Sequence, residues 1–209
     1  MRKCLLGVIL LVASVGVFAQ ANSWYFAVLP GYQFSTGNYQ EADNFIFGSN
    51  LYQWRVNGSG KNNFMGSLDL GYFFTNNVGV HFAYLYNQGK YQANLHLGPF
   101  YLGNYQFNRS LNIAEIGPEF AFGSKQSQTY FQVNVGYTFG NSTPNFQYQG
   151  VNYPLGDFGT QSFVYGAAIG WRYYFNDSVG MAIQGAYHHM QHFPISDMWD
   201  GRIGVTFRF

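Results

Sequence analysis

The chain has 209 residues, of which 9% are charged and 21% aromatic, and its formal net charge is +1. Soluble globular domains carry about a quarter charged residues, so this composition is a poor match to an ordinary water-exposed surface. The near-neutral balance also excludes the basic excess with which nucleic-acid-binding proteins hold phosphates.

The first residues have the pattern of a cleaved secretory signal peptide. A basic start, MRK, precedes a short apolar run, and the small-residue motif AQA follows that run. The run is shorter than a membrane-spanning helix requires, and no later stretch approaches that length. The sequence therefore predicts a signal peptide over residues 1–21 and a mature domain over residues 22–209. Cys4 lies inside the signal, so we expect neither a disulfide nor a lipid anchor.

Eight segments of the mature chain alternate apolar and polar residues with period two, which is the pattern of strands with one apolar face. Each segment is long for a strand of a soluble protein. The segments begin, in chain order, at Trp24, Phe64, Val78, Leu111, Thr129, Ser162, Val179 and Trp199.

The connections between these segments alternate in length. TNNV, GSKQSQ and NDS are tight turns, whereas the stretch beginning STGNYQ, the region from Asn87 to Ser110, and GNSTPNFQYQGVNYPLGDFGT are long. Short turns at one end and longer loops at the other are typical of an outer-membrane barrel, and an even strand number places both termini in the periplasm.

The long connections are rich in Tyr, Phe, Asn, Gln and Gly and contain few charges. Aromatic and amide side chains suit the recognition of a sugar or a protein. The same alternating aromatic residues also fit hairpins that extend the barrel above the membrane. Both interpretations stay open from the sequence.

The second face of the strands carries charged residues among glycine and alanine. Long side chains among small ones suit the narrow lumen of an eight-stranded barrel, and we expect the charges to pair and close it, because an unpaired buried charge is costly. Counted from the turns, Glu119, Arg172 and Arg208 lie at similar low depths. Asp69, Glu115 and Arg202 lie higher. The expected pairs are Arg172 with Glu119, and Arg202 with Glu115 or Asp69. The complete predicted lumen network is Asp69, Glu115, Glu119, Arg172, Arg202 and Arg208.

The chain ends in GVTFRF, with Val205, Phe207 and Phe209 at alternate positions. This ending resembles the C-terminal signal that hands bacterial outer-membrane proteins to the barrel-assembly machinery. With the strand-turn-strand segment GWRYYFNDSVGM, the mature chain resembles the small barrels of the OmpA-like and OmpX-like group. The resemblance implies an all-β, eight-stranded, antiparallel, up-and-down transmembrane barrel in the bacterial outer membrane, reached by export through the periplasm. Full OmpA proteins have a peptidoglycan-binding domain that is absent after Phe209, so cell-wall anchoring is not expected.

The segment AYHHMQHF raises an enzymatic and a metal hypothesis. It resembles the His-x-Ser element of PagL-type lipid A deacylases, but Met190 and Gln191 stand where the nucleophile would follow His188 and His189. For a metal, only His188 with His192, or His189 with a loop ligand, could share an ion, because neighbouring strand residues point to opposite faces. Two ligands do not complete a site, so we expect interface histidines, no metal and no cofactor.

From the sequence we expect a monomeric, non-catalytic barrel with a structural or surface-interaction, adhesion-like role. Its expected partners are outer-membrane lipid and lipopolysaccharide, the barrel-assembly machinery during biogenesis, and an extracellular ligand that binds the loops. A nucleic-acid partner is not expected. Because fold does not fix function, a narrow transport pore for small solutes is the alternative, and a PagL-like lipid A-modifying enzyme is the third hypothesis.

Overall fold

The computed structural model describes residues 21–35, 38–47, 50–60, 63–97, 100–148, 151–154, 158–191 and 197–209. The predicted signal peptide lies outside the described residues except for its last residue, Ala21. The described elements are eleven β-strands: β1 Ser23–Ser35, β2 Asn38–Phe47, β3 Asn50–Gly60, β4 Asn63–Phe73, β5 Val78–Leu97, β6 Phe100–Gly123, β7 Ser127–Tyr148, β8 Val151–Pro154, β9 Phe158–Tyr174, β10 Val179–Met190 and β11 Asp197–Arg208.

No helix in the described part of the chain is long and apolar enough to cross a membrane.

Eight of the strands close into an antiparallel barrel. Around the barrel the order is β1, β4, β5, β6, β7, β9, β10 and β11, and β11 pairs back with β1. This arrangement confirms the predicted all-β, eight-stranded, up-and-down barrel. Closure gives every one of these strands two neighbours, so the barrel wall has no free edge.

The seam between the first and last strands runs to the end of the chain. The backbone N–H of Trp24 donates to the carbonyl of Phe209 at 2.8 Å, and the N–H of Phe209 donates to the carbonyl of Trp24 at 3.0 Å. Phe209 therefore forms the last backbone pair of the seam.

Three short turns mark one end of the barrel, which we call the turn end; the opposite end is the loop end. The turns are residues 74–77, 124–126 and 175–178, where the sequence predicts them. Asn176 shows how such a turn is stabilised, because its Oδ1 accepts hydrogen bonds from the backbone N–H groups of Ser178 and Val179, at 2.9 and 2.8 Å.

At the loop end, the wall rises higher on one side. β5 stays paired with β6 along its whole length, from Val78 opposite Phe120 to Leu97 opposite Phe100. β3 pairs with the upper part of β5, β2 pairs with β3, and β8 pairs with β7. The region from Asn87 to Ser110, expected as a loop, is therefore largely strand. The long connections thus include hairpins that extend the barrel, and their role in recognition stays a prediction.

The exterior is apolar, as the alternation predicts, and the interior holds most of the polar side chains of the wall. On β7, Val133 and Val135 are 40% and 46% exposed, whereas the alternate residues Gln132 and Asn134 are each 1% exposed. This distribution is the reverse of that in a soluble protein, where amide side chains are mostly exposed and valine is often buried.

Aromatic side chains gather on the exterior near both ends. At the turn end the rings of Trp24 and Tyr72 lie 4.7 Å apart between centroids, and at the loop end those of Tyr187 and Trp199 lie 4.8 Å apart. Indole and phenol rings favour a boundary between apolar and aqueous surroundings.

Candidate functional site

The interior of the barrel holds the candidate site. The six side chains of the predicted lumen network all lie on the inward face of β4, β6, β9 and β11, and each exposes between 0 and 7% of its surface. Their neighbours divide them into two buried clusters and one arginine at the turn end.

The first group, the Glu119 cluster, consists of Tyr25, Glu119, Tyr130, Gln132 and Arg172. The Arg172 guanidinium donates to both carboxylate oxygens of Glu119, at 2.5 and 3.1 Å. The Tyr25 hydroxyl and the Gln132 amide also donate to this carboxylate, the amide at 2.8 Å. A bidentate pair supported by two further donors is the strong form of a buried ion pair.

Two tyrosine rings enclose the Arg172 guanidinium. Its Cζ lies 3.7 Å from the ring centroid of Tyr25 and 3.9 Å from that of Tyr130, so cation–π contacts act on both faces. Each ring lies over the glycine paired with it on the neighbouring strand. A Cβ at Gly71 would lie 2.1 Å from Tyr25, and one at Gly170 would lie 2.3 Å from Tyr130. The two glycines therefore leave room for the tyrosine rings that contact the arginine.

The second group, the His188 cluster, lies nearer the loop end and is centred on Glu115, His188 and Asp200. Nδ1 of His188 lies 2.6 Å from Glu115, and Nε2 lies 2.9 Å from Asp200. In the doubly protonated ring both nitrogens donate, and the ring then forms one hydrogen bond with each carboxylate. The amide of Asn134 donates to the second oxygen of Glu115 at 2.9 Å.

Arg202 completes the His188 cluster. Its Nε donates to Asp200 at 2.8 Å, and its Nη1 donates to the hydroxyl of Ser67 at 2.9 Å. Nη1 also lies 3.9 Å from the Asp69 carboxylate, an ion-pair distance but not a hydrogen bond. Of the two partners expected for Arg202, Asp69 is in direct reach, and Glu115 is connected through His188 and Asp200.

An apolar layer covers the His188 cluster on the loop-end side. On the loop-end side of His188, Asp200 and Ser67, the next inward residues of the same strands are methionines. They are Met190 on β10, Met198 on β11 and Met65 on β4, and all three are 1% exposed or less. Together with these methionines, the buried cluster contains Ala83, Leu85, Leu111, Ile113 and Val164. This layer was not predicted from the sequence, because only polar and small residues were expected on the inward face.

Arg208 lies apart from both clusters, at the turn end. It was expected at the depth of Glu119 and Arg172. Instead its Nε donates to the backbone carbonyl of Asp177 at 3.1 Å, its Nη1 donates to that of Lys125 at 2.7 Å, and its guanidinium lies over Tyr174. Among the described residues, Arg208 forms no ion pair with a carboxylate.

The two neighbouring histidines occupy different environments. His188 was expected at a membrane interface, but it is fully buried in the lumen because it belongs to the inward face of β10. His189 faces outward, and its Nδ1 lies 2.9 Å from Asp197, which also accepts a hydrogen bond from Tyr187. His192, the other candidate metal ligand, lies outside the described residues. In the described part of the chain, no three His, Cys, Asp or Glu side chains group to hold a metal.

The predicted assembly residues lie on the exterior of the last strand. Val205, Phe207 and Phe209 are 45%, 39% and 71% exposed, and Phe209 forms the seam pair with Trp24. Their role in assembly stays a prediction.

Comparison with known proteins gives structural neighbours only. No protein-family model matches the chain, and no curated protein matches its sequence. The outer membrane protein OprG from Pseudomonas aeruginosa matches with a TM-score of 0.53 at 12% identity, over 92% of this chain and 98% of that chain. The chain has the fold of a small outer-membrane β-barrel.

The structural matches include other outer-membrane barrels. The attachment invasion locus protein Ail of Yersinia pestis has a TM-score of 0.49 at 16% identity, over 91% of this chain and 100% of its own. Neisserial surface protein A has a TM-score of 0.49 at 11% identity, over 90% and 97% of the two chains.

Proposed function

We propose that this protein is a non-catalytic bacterial outer-membrane barrel that conducts no solute and presents its loop-end strands to an extracellular ligand. The observation that carries the proposal is the packing of buried side chains along the lumen. The Glu119 cluster, the His188 cluster and the apolar layer follow one another along the barrel, and the side chains that form their cores are each no more than 5% exposed.

The size of the barrel supports a closed lumen. Eight strands enclose an interior that side chains can just fill, whereas an aqueous channel needs more strands. Opening a path here would separate Arg172 from Glu119 or His188 from its two carboxylates. Separating a buried pair leaves uncompensated charges, so the closed arrangement is strongly favoured. A narrow pore for small solutes is the competing function that the experiment below tests.

The loop-end strands support a role in surface contact. The hairpin of β7 and β8 exposes Tyr148, Val151 and Tyr153, each by more than 40%. The rings of Phe146 and Tyr148 are nearly parallel, with centroids 6.5 Å apart, so these side chains form an aromatic patch. Aromatic side chains supply large contact area at little loss of conformational freedom, which suits recognition.

The exterior supports residence in an outer membrane. Its exposed apolar side chains and its aromatic rings near both ends match a lipid-facing band with interfacial girdles. We propose that the chain is exported through the periplasm and inserted as a monomer by the barrel-assembly machinery. Its lipid contacts would then include lipopolysaccharide in the outer leaflet.

Planar-bilayer recording of the purified barrel tests the closed lumen. We expect no steady conductance from the wild-type protein. Steady channels from the wild type would replace the proposal with the pore, and release of fatty acid from purified lipid A would replace it with the enzyme.

A binding assay tests the surface role separately. The barrel is applied to an array of immobilised glycans and matrix proteins, with Tyr148→Ser/Tyr153→Ser as the variant. Tyr137→Ser, also an exterior tyrosine of β7 but closer to the membrane, is the matched control. We expect binding that only the double substitution removes. No binding, or equal loss in the control, would contradict the surface role.

A further inference from the structure

A small pocket opens at the turn end, apart from the two lumen clusters. It lies between the turns 124–126 and 175–178 and has a volume of about 240 Å³. Lys125, Tyr174, Asp177 and Arg208 are among the residues that line it. Pockets for drug-sized ligands measure about 300–1,000 Å³, so this one suits a smaller chemical group.

The Arg208 guanidinium is held rigidly in this pocket. Its hydrogen bonds to the carbonyls of Asp177 and Lys125 fix two of its nitrogens, and the Tyr174 ring lies 4.1 Å from its Cζ. In the described part of the chain, the remaining Nη2 group forms no hydrogen bond. The side chain is 7% exposed, so a nearly buried cation has one donor group left for a ligand.

The charge of the pocket is incompletely balanced. Arg172 and Arg202 each contact a carboxylate, whereas neither Arg208 nor Lys125 forms an ion pair with any described residue. Two cationic side chains and one carboxylate, Asp177, line the pocket, which leaves a formal charge of +1. Carbonyl oxygens and a ring face only partly replace a counter-charge for a buried guanidinium, so an anion in the pocket would be stabilised.

We propose that this pocket binds a small oxyanion, a phosphate or carboxylate group, between Arg208 and Lys125. A fixed guanidinium offers directed donors to such a group, and a flexible lysine adds a mobile charge. The group belongs either to a small molecule in solution or to a phospholipid headgroup at the rim of the barrel. This site goes beyond the proposed surface role and does not depend on it.

The test uses the full mature barrel in maltoside micelles, which contain no phosphate. Inorganic phosphate is titrated in one series, and phosphatidylglycerol is mixed into the micelles in another. The backbone amide signals of Gln126 and Asn176 report on the pocket by NMR. A saturating shift with phosphate identifies a soluble ligand, and a shift with phosphatidylglycerol alone identifies a headgroup.

Lys125→Gln is the deciding variant. Arg208 contacts the backbone carbonyl of Lys125 and not its side chain, so this change leaves the fold intact. Loss of one charged hydrogen bond should weaken binding by about tenfold or more. Lys90→Gln, on the loop-end half of β5, is the matched control and should bind as the wild type does. Absence of any saturating shift in the wild type, or unchanged binding in Lys125→Gln, would overturn the proposal.

Discussion

Arg172→Ala tests the closure of the lumen most directly. The change removes two hydrogen bonds to Glu119 and the cation enclosed by Tyr25 and Tyr130. The Glu119 carboxylate would keep its bonds from Tyr25 and Gln132 but lose its counter-charge. Removing one partner of a buried ion pair typically costs about 3–5 kcal/mol, so we expect the unfolding free energy to fall by that amount, and by less if water enters.

A double-mutant cycle with Glu119→Ala separates the pair from its surroundings. The double variant has no unpaired charge, so its loss should be smaller than the sum of the two single losses by about 2–3 kcal/mol. Urea unfolding of the refolded barrel in micelles measures these values, and planar-bilayer recording detects any water-filled path in the Arg172→Ala variant. Lys90→Ala serves as a charge-removal control outside the lumen network.

Arg172 and Glu119 do not act as a pair if the two single losses add to within about 0.5 kcal/mol in the double variant. Additivity would mean that Arg172 and Glu119 stabilise the barrel independently. Steady conductance of the wild type in the same recordings would also show that the pair does not close the lumen.

Three further predictions follow from the packing, the seam and the exterior. Gly71→Ala should lower the unfolding free energy by about 1–3 kcal/mol, because its Cβ would lie 2.1 Å from the Tyr25 ring. A Cβ at Gly66, on the same strand, meets nothing within 4 Å, so Gly66→Ala is the control. An equal loss of stability in both variants would contradict the clash. Deleting Phe209 should reduce the amount of the protein in the outer-membrane fraction far more than Tyr39→Ala does. Equal insertion of the truncated and full-length chains would show that Phe209 contributes packing only. On denaturing gels, unboiled folded protein should migrate differently from boiled protein, whereas identical migration together with solubility without detergent would rule out a membrane barrel.

The sequence was sufficient to predict the two faces of the wall. A strand has a side-chain period of two, so a slip of one residue would place Val133 and Val135 in the lumen and Gln132 and Asn134 outside. Only one register keeps the apolar residues together. The structure of the loop-end parts of β5, β6 and β7 was harder to predict. Aromatic and amide residues alternate there, and such a pattern fits both strands and recognition loops.

The partners inside the lumen were harder to predict. Counting residues from the turns treats the strands as upright, whereas barrel strands tilt and shift in register against one another. Arg208 was therefore expected at the depth of Glu119, although it lies at the turn end. The role of His188 was missed for a different reason, since a histidine between two carboxylates is recognised only when the side chains from three strands are seen together.

The Glu119 and His188 clusters also affect the order in which the chain can assemble. Tyr25 and Glu119 are 94 residues apart in sequence, and Ser67 and Arg202 are 135 residues apart. Contacts between such distant residues form late, because they wait for most of the intervening chain to be placed. Until β1 pairs with β11, the barrel is open along one side, so water can reach the ionic side chains. Expulsion of water from the interior and joining of the first strand to the last are therefore coupled, so a half-assembled barrel retains a wet and charged centre.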